Sequence, residues 1–224
     1  AMRKILFLCA VLSIAAVIMI GLFIFVEGYP IMHKVGFFNF IFGKVWSPSE
    51  GLYGIFPMIV CTFSITLGAL ILGVPLSIFT AIFLAEYAPK KFERLINPAI
   101  ELLAGIPSVI YGLFGMTMIV PIIREIQKLY FGRGASQMQS GYSILAAAII
   151  LSIMISPTII SVTRDALKSV GRELKAGSLA LGATKWQTTW HMVLPKAKSG
   201  IIAGIVLGMG RAIGETMAVI MEAG

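Results

Sequence analysis

Arg211 and Glu215 stand four positions apart in the stretch GMGRAIGETMAV at 208–219, inside an apolar run that begins at Ser199. On a continuous helix, residues four apart share one face, so the two would meet as a guanidinium and a carboxylate. From Lys198 to Arg211 is 13 residues, ~20 Å of helix. A hydrocarbon core is ~30 Å thick, which puts Arg211 past its middle. A charge at that depth is expensive and marks a functional group by default. Two readings fit. Arg211 can turn a planar fork of N–H donors toward an oxyanion on a transport path, with Glu215 and Thr216 beside it; Glu215 would then hold the arginine and keep the anion from binding too tightly. Alternatively, the pair only staples helices together.

No other group of residues promises chemistry. The chain has no G-x4-G-K-[ST] phosphate loop, so any ATP chemistry would belong to a partner. It has no His, Cys and carboxylate cluster at ligand spacing and no nucleophile motif. Cys9 and Cys61 lie in apolar runs and read as buried free thiols, and His33 reads as a loop residue. The sequence therefore predicts neither an enzyme nor a bound metal or cofactor.

The surroundings of the pair explain what must position it. Of 224 residues, 58% are apolar and 12% are charged, and the mean hydropathy is +0.94. Soluble domains carry roughly 25% charge, so the solvent for this chain is a membrane. The net charge of +8 does not signal nucleic acid, because the basic residues lie in short segments between apolar runs. Five spans are expected, at about 5–26, 58–85, 102–123, 142–163 and 199–221, in one permease domain covering 1–224. The first is too long and too bulky at its end for a secretory leader. Gly105-Ile106-Pro107-Ser108 opens the third span. A proline there frees backbone groups that protein or water must satisfy, which suits either an interior-facing segment or a plain kink.

Orientation follows the Lys and Arg bias. With the N-terminus inside, the inner segments hold Arg3 and Lys4, then Lys90, Lys91 and Arg94, then seven between Arg164 and Lys198. The outer loops hold Lys34, Lys44, Arg124, Lys128 and Arg133. The inner loop 164–198 is the longest. Leu167, Val170 and Leu174, then Leu179, Ala180 and Leu181, recur at helical spacing, Gly182 interrupts them, and Pro195 closes the segment. Two short helices around a glycine turn are expected. They either lie on anionic lipid or dock into a groove of a soluble partner.

This loop carries a resemblance. Gly182, nine further residues, and then Val193-Leu194-Pro195 after Met192 are similar to the G-x9-I-x-L-P half of the cytoplasmic-loop signature of binding-protein-dependent ABC importer permeases, with Met in place of Ile. In that family the loop carries the coupling helix that inserts into the ATPase. The resemblance assigns ATPase coupling to Ala176, Leu179, Gly182, Ala183, Thr184, Trp186, Leu194 and Pro195. The signature's E-A-A opening is replaced here by Ala176, Gly177 and Ser178, so no glutamate contact with the ATPase is implied. The stretches 181–188 (LGATKWQT), 101–112 (ELLAGIPSVIYG) and 210–219 (GRAIGETMAV) resemble the phosphate-importer branch. Thr216-Met217-Ala218-Val219 resembles its C-type permease more than its A-type partner.

The resemblance implies an all-α, polytopic, MetI-like helical bundle with six spans, of which five are visible here and the C-terminal one is expected to be missing. It also implies an inorganic-phosphate importer in a bacterial or archaeal cell membrane. Its partners would be an A-type permease, a dimeric ATP-binding subunit and an extracytoplasmic phosphate-binding protein. A permease of the same fold for another oxyanion or small solute, and a membrane scaffold or channel without energy coupling, are the competing readings.

Overall fold

The computed structural model describes residues 2–131 and 141–223. Arg133, one of the outer-loop cations, lies outside them. Among the described residues the regular structure is helical apart from one two-residue antiparallel pairing, Trp46↔Tyr53 and Ser47↔Leu52. Five helices are long and apolar enough to cross a membrane: Met2–Val35, Phe56–Tyr87, Ser108–Leu129, Ile144–Lys168 and Lys185–Gly214. The chain divides into two compact units, 1–60 and 61–224.

In the first unit, α1 (Met2–Val35) buries none of its side chains within the chain, Cys9 included. It runs on through Pro30, where a loop was expected from Glu27. Gly36, at φ 83°, turns the chain into α2 (Phe37–Phe42). The short strands β1 (Trp46–Ser47) and β2 (Leu52–Tyr53) follow, with the Trp46 and Tyr53 rings edge-to-face at 5.6 Å. Gly43 and Gly54 are in backbone contact, and a Cβ on either would collide with the other.

The second unit is built around α7 (Ile144–Lys168). Its apolar residues occur on every face, as a helix buried on all sides requires, and Ile150, Leu151, Met154, Ile155 and Ile159 are almost fully buried. Against it pack α4 (Lys90–Gly105), α5 (Ser108–Phe114), α10 (Leu194–Gly214) and α11 (Met217–Ala223). Lipid is as apolar as leucine, so close packing rather than escape from water holds such helices together. Gly200, Gly204 and Gly208, one per turn of α10, let it approach α7: Cβ atoms there would meet Ala166, Thr163 and Ile159.

Three five-residue π turns widen the helices, at Phe83–Tyr87, Gly115–Ile119 and Thr189–Val193. The third makes helical sense of Pro195. A proline ring clashes with the carbonyl four residues back and lacks an N–H, and a wide turn just before it relieves both problems. Pro195 therefore does not close the loop. It lies inside one helix, Lys185–Gly214. The segments 86–101 and 124–131, expected as loop, are also largely helical, in α4 and α6 (Val120–Phe131).

Candidate functional site

Two places collect the residues singled out by the sequence: the end of α10 and the α8–α9 turn. The first does not have the expected shape. Helix α10 stops at Gly214, Glu215 is extended at φ −83°, ψ 121°, and α11 begins at Met217. Arg211 and Glu215 thus do not share a helix face, and the fifth span is not one helix through 221. Glu215 instead accepts a hydrogen bond from the backbone N–H of Ala218 at 3.3 Å, which satisfies one of the orphan donors in the first turn of α11. The Thr216 carbonyl accepts from Ile220, and its side chain is exposed in the break.

Arg211 turns elsewhere. Its Nη1 donates to Thr158 Oγ1 on α7 at 3.4 Å, and its Nη2 to the carbonyl of Ala104 at 3.4 Å. Ala104 is the penultimate residue of α4, just before the interruption at Ile106-Pro107. The last carbonyls of a helix lack intrahelical partners and carry its negative dipole end, so a guanidinium is well placed there. Tyr111 bridges the same interruption, its hydroxyl donating to the Leu103 carbonyl at 2.8 Å. The backbone groups freed by Pro107 are therefore met by side chains from α5 and α10, as an interior-facing segment requires. Both Arg211 contacts are long for a charged donor, which usually closes to ~2.7–2.9 Å. Among the described residues, no salt bridge includes Arg211.

Thr158 and Ala104 escaped sequence reasoning as partners of Arg211, and so did Tyr111 as the partner of Leu103. Pro107 was the only local signal, and it pointed to a place without naming who meets there. Glu222 was also missed. It is fully buried on α11, its carboxylate lies where a Cβ of Gly115 would be, and its oxygens have no hydrogen-bond partner among the described residues. One carboxylate after the apolar Met217–Met221 was the available signal.

The second place has the expected shape. Helix α8 (Arg172–Ala180) and α9 (Lys185–Thr188) flank a turn in which Gly182 adopts φ 86°. That conformation is open to glycine and strained for other residues. Thr184 starts α9 with a capping box: its Oγ1 accepts from the Gln187 N–H at 3.3 Å, and Gln187 Oε1 accepts from the Thr184 N–H at 2.8 Å. Ala176, Leu179 and Trp186 are exposed, Ala183 is half-buried, and Leu181 is 91% exposed. Trp186 stacks on Trp190 at 5.6 Å and 18°. A shallow hollow is lined by Ser178, Leu181, Gly182, Ala183, Gln187 and Met192, among others. Leu194 packs against the core near Leu167 and Val193, and Pro195 is exposed beside it. The structure thus gathers 176–186 into one apolar, solvent-facing elbow, with Leu194 and Pro195 at the root of α10.

The position of this elbow is fixed by polar contacts. Lys175 donates to Glu86 at 2.5 Å, and Ser178 and Thr188 share a hydrogen bond at 3.0 Å. Farther along, Lys168 pairs with Glu93, and Arg164 donates to Asn97 at 2.5 Å. The Lys168 hydrogen bond, first, holds the Glu93 carboxyl below its ordinary value, with Asn97 and the nearby Arg164 charge adding to it.

Residues 73–223 match the family described as binding-protein-dependent transport system inner membrane component. A probable ABC transporter permease protein, YqgH of Bacillus subtilis, is 39% identical over 99% of this chain and 70% of its own length. The phosphate transport system permease proteins PstC of Pasteurella multocida and Xylella fastidiosa are 41% and 38% identical, each over 81% of this chain. The chain spans 60% and 59% of those two relatives' lengths. Among solved structures, the inward-facing MetNI methionine ABC transporter matches with a TM-score of 0.53 at 20% identity, over 72% of this chain and 68% of that one. At that identity the likeness concerns the fold. Helices of the right length, a MetI-like fold and a family match over two thirds of the sequence lead to one conclusion: the chain belongs to the binding-protein-dependent inner membrane components, the multi-pass permease subunits of ABC transporters, and is not itself an enzyme.

Proposed function

We propose that this chain is one of two permease subunits of an ATP-driven inorganic-phosphate importer, the C-type subunit, with its N-terminus in the cytoplasm. In this reading the α8–α9 elbow seats in a dimeric cytoplasmic ATPase. An A-type permease completes the pathway, and an extracytoplasmic binding protein delivers the anion. The observation that carries the phosphate reading is the environment of Arg211. Its partners are a hydroxyl and a carbonyl, both neutral and both distant, while Glu215 is engaged with α11. A guanidinium so held keeps its charge and much of its donor fork for a tetrahedral oxyanion. Thr216 is exposed in the helix break that follows. The PstC names of several relatives support the same anion.

The test is ATP-dependent uptake by the full complex in vesicles, with radiolabelled phosphate and competing arsenate, sulfate and methionine. Uptake displaced by arsenate alone is the expected result. ATP-dependent uptake of another solute without phosphate transport would overturn the assignment and leave a same-fold permease of different specificity.

A further inference from the structure

Helix α3 (Phe56–Ile82) runs into the π turn Phe83–Tyr87. Three side-chain pairs join the α3–α4 segment to the α7–α8 segment: Asn97 with Arg164, Glu93 with Lys168, and Glu86 with Lys175. Their spacing is mirrored. Four residues separate Asn97 from Glu93 and Arg164 from Lys168, and seven separate Glu93 from Glu86 and Lys168 from Lys175. Such a register makes an antiparallel ladder of three rungs, although the chain on each side is interrupted: at Pro89 on one side and at Ser169–Gly171 on the other. Two rungs hold α4 to α7. The third is different, because it crosses both interruptions. It ties α8 to the π turn Phe83–Tyr87 at the end of α3.

The third rung is also the least exposed ion pair of the ladder. The Glu86 and Lys175 side chains are 15% and 23% exposed, low enough that solvent screens the pair less than a surface pair. Both helix α8 and the π turn are short, and a π turn is a place where a helix can shift register. Beyond this pair and the Ser178–Thr188 bond, α8 presents Leu174, Ala176 and Leu179 to solvent.

We infer that Glu86 and Lys175 are positioning residues that pass movement of the α8–α9 elbow to α3, so that their ion pair sets how much transport each ATP yields. The inference rests on the reading of the elbow as the ATPase contact. A push on α8 has a direct polar route to α3 through this rung, whereas the other two rungs keep α4 and α7 together as it moves.

The experiment uses the complete complex in vesicles and measures phosphate taken up per ATP hydrolysed. The variants are Glu86→Gln, Lys175→Gln and the exchange Glu86→Lys with Lys175→Glu. A cysteine at Leu181, cross-linked to the ATPase, reports separately whether the elbow is the contact. Each neutral variant is expected to raise ATP consumed per phosphate by roughly 2- to 30-fold, the range over which single residues alter coupling, with the cross-link retained. The exchange should restore the ratio to within a small factor. An unchanged ratio in cross-linkable complexes overturns the inference while leaving the elbow as the ATPase contact. Absence of the cross-link in the unaltered complex removes both. If a single variant fails to assemble, the exchange decides: assembly and coupling regained together support the strut, and assembly regained without coupling rejects it.

Discussion

Arg211 donates to the carbonyl of Ala104 across 107 positions of sequence, joining the last turn of α10 to the last turn of α4. The contact places a fixed positive charge against the negative end of a helix, in the part of the bundle where Pro107 and the Gly214–Thr216 break both interrupt regular structure. Among the described residues, neither interruption involves a charged pair. The arginine is held by dipoles, and dipoles leave its net charge intact.

Arg211→Gln should lower phosphate uptake by roughly tenfold or more, the loss of a charged hydrogen-bonding group in a low-dielectric site. Arg211→Lys should fall between, because it keeps the charge and loses the planar fork. The exchange Arg211→Glu with Glu215→Arg should not rescue, since the two positions lie on opposite sides of a helix break. Uptake normalised to assembled complex is the measurement. Near-normal uptake by the exchange would reject the pathway role.

Much of this site was readable. Arg211 stood out because a charge in an apolar run is rare, and Gly182 because it interrupted a helical period just where the backbone needs a positive φ. What failed was the assumption that four residues apart means one face. Gly214 followed by Glu215, a side chain able to cap, is a local signal for a stop and restart, but hydropathy does not register it. Thr158 and Ala104 could not be read at all, since only tertiary packing brings residues 53 and 107 positions away to one guanidinium. Helix α4 is hard to see in the sequence for another reason. Its charges, Lys90, Lys91, Glu93 and Arg94, obscure an apolar spacing at Ile96, Ile100 and Leu103 that does follow a helix.

Gly208→Val should destabilise the bundle without touching the anion path. A Cβ at Gly208 would lie 2.6 Å from Ile159 Cγ1 and 2.7 Å from its Cδ1. Overpacking of this kind costs about 1–3 kcal/mol, and the fully buried Ile159 has little room to yield. Thermal unfolding of the detergent-purified complex should show the loss. Gly210→Ala, where a Cβ meets nothing within 4 Å, is the control and should be close to neutral.

The ladder should give the protein an acid-sensitive step. Glu93 is held below its ordinary 4.5, mainly by Lys168. A depressed carboxyl contributes stability that is present above its unfolded value and lost as pH falls through its folded value. Glu93→Gln should therefore be less stable than the parent at pH 7, and the two should converge well below pH 4.5. Chemical denaturation at the two pH values checks this. A gap that persists in acid would mean that Glu93 acts by packing alone.

The Lys and Arg bias, which includes the ladder cations Arg164, Lys168 and Lys175, predicts that the N-terminus and the 164–198 segment lie in the cytoplasm. Cysteines introduced at Lys185 and at Lys44 should behave oppositely toward an impermeant maleimide added to intact cells: Lys44→Cys should label and Lys185→Cys should not. Labelling of Lys185→Cys from outside would invert the topology and with it the placement of the elbow in the cytoplasm.

Gly182 offers a way to disturb the elbow without removing any contact. A Cβ there meets nothing within 4 Å, so space at the first side-chain carbon does not oppose Gly182→Val. The penalty comes from the backbone, because φ 86° is a conformation that β-branched residues avoid, at about 1–3 kcal/mol. The chain can relieve that strain by turning the 181–184 link, which would swing α9 and the Trp186–Trp190 stack relative to α8. Insertion and the α7–α10 packing should survive, because they lie outside the turn. The expected outcome is a complex that still hydrolyses ATP but takes up several-fold less phosphate per ATP, with Gly182→Ala milder and Gly182→Asn, which tolerates positive φ, milder still. Assays of uptake and hydrolysis on the same vesicles test the order. Normal uptake by Gly182→Val would mean that the elbow's shape is immaterial to the ATPase, and the α8–α9 pair would then be interfacial helices resting on lipid.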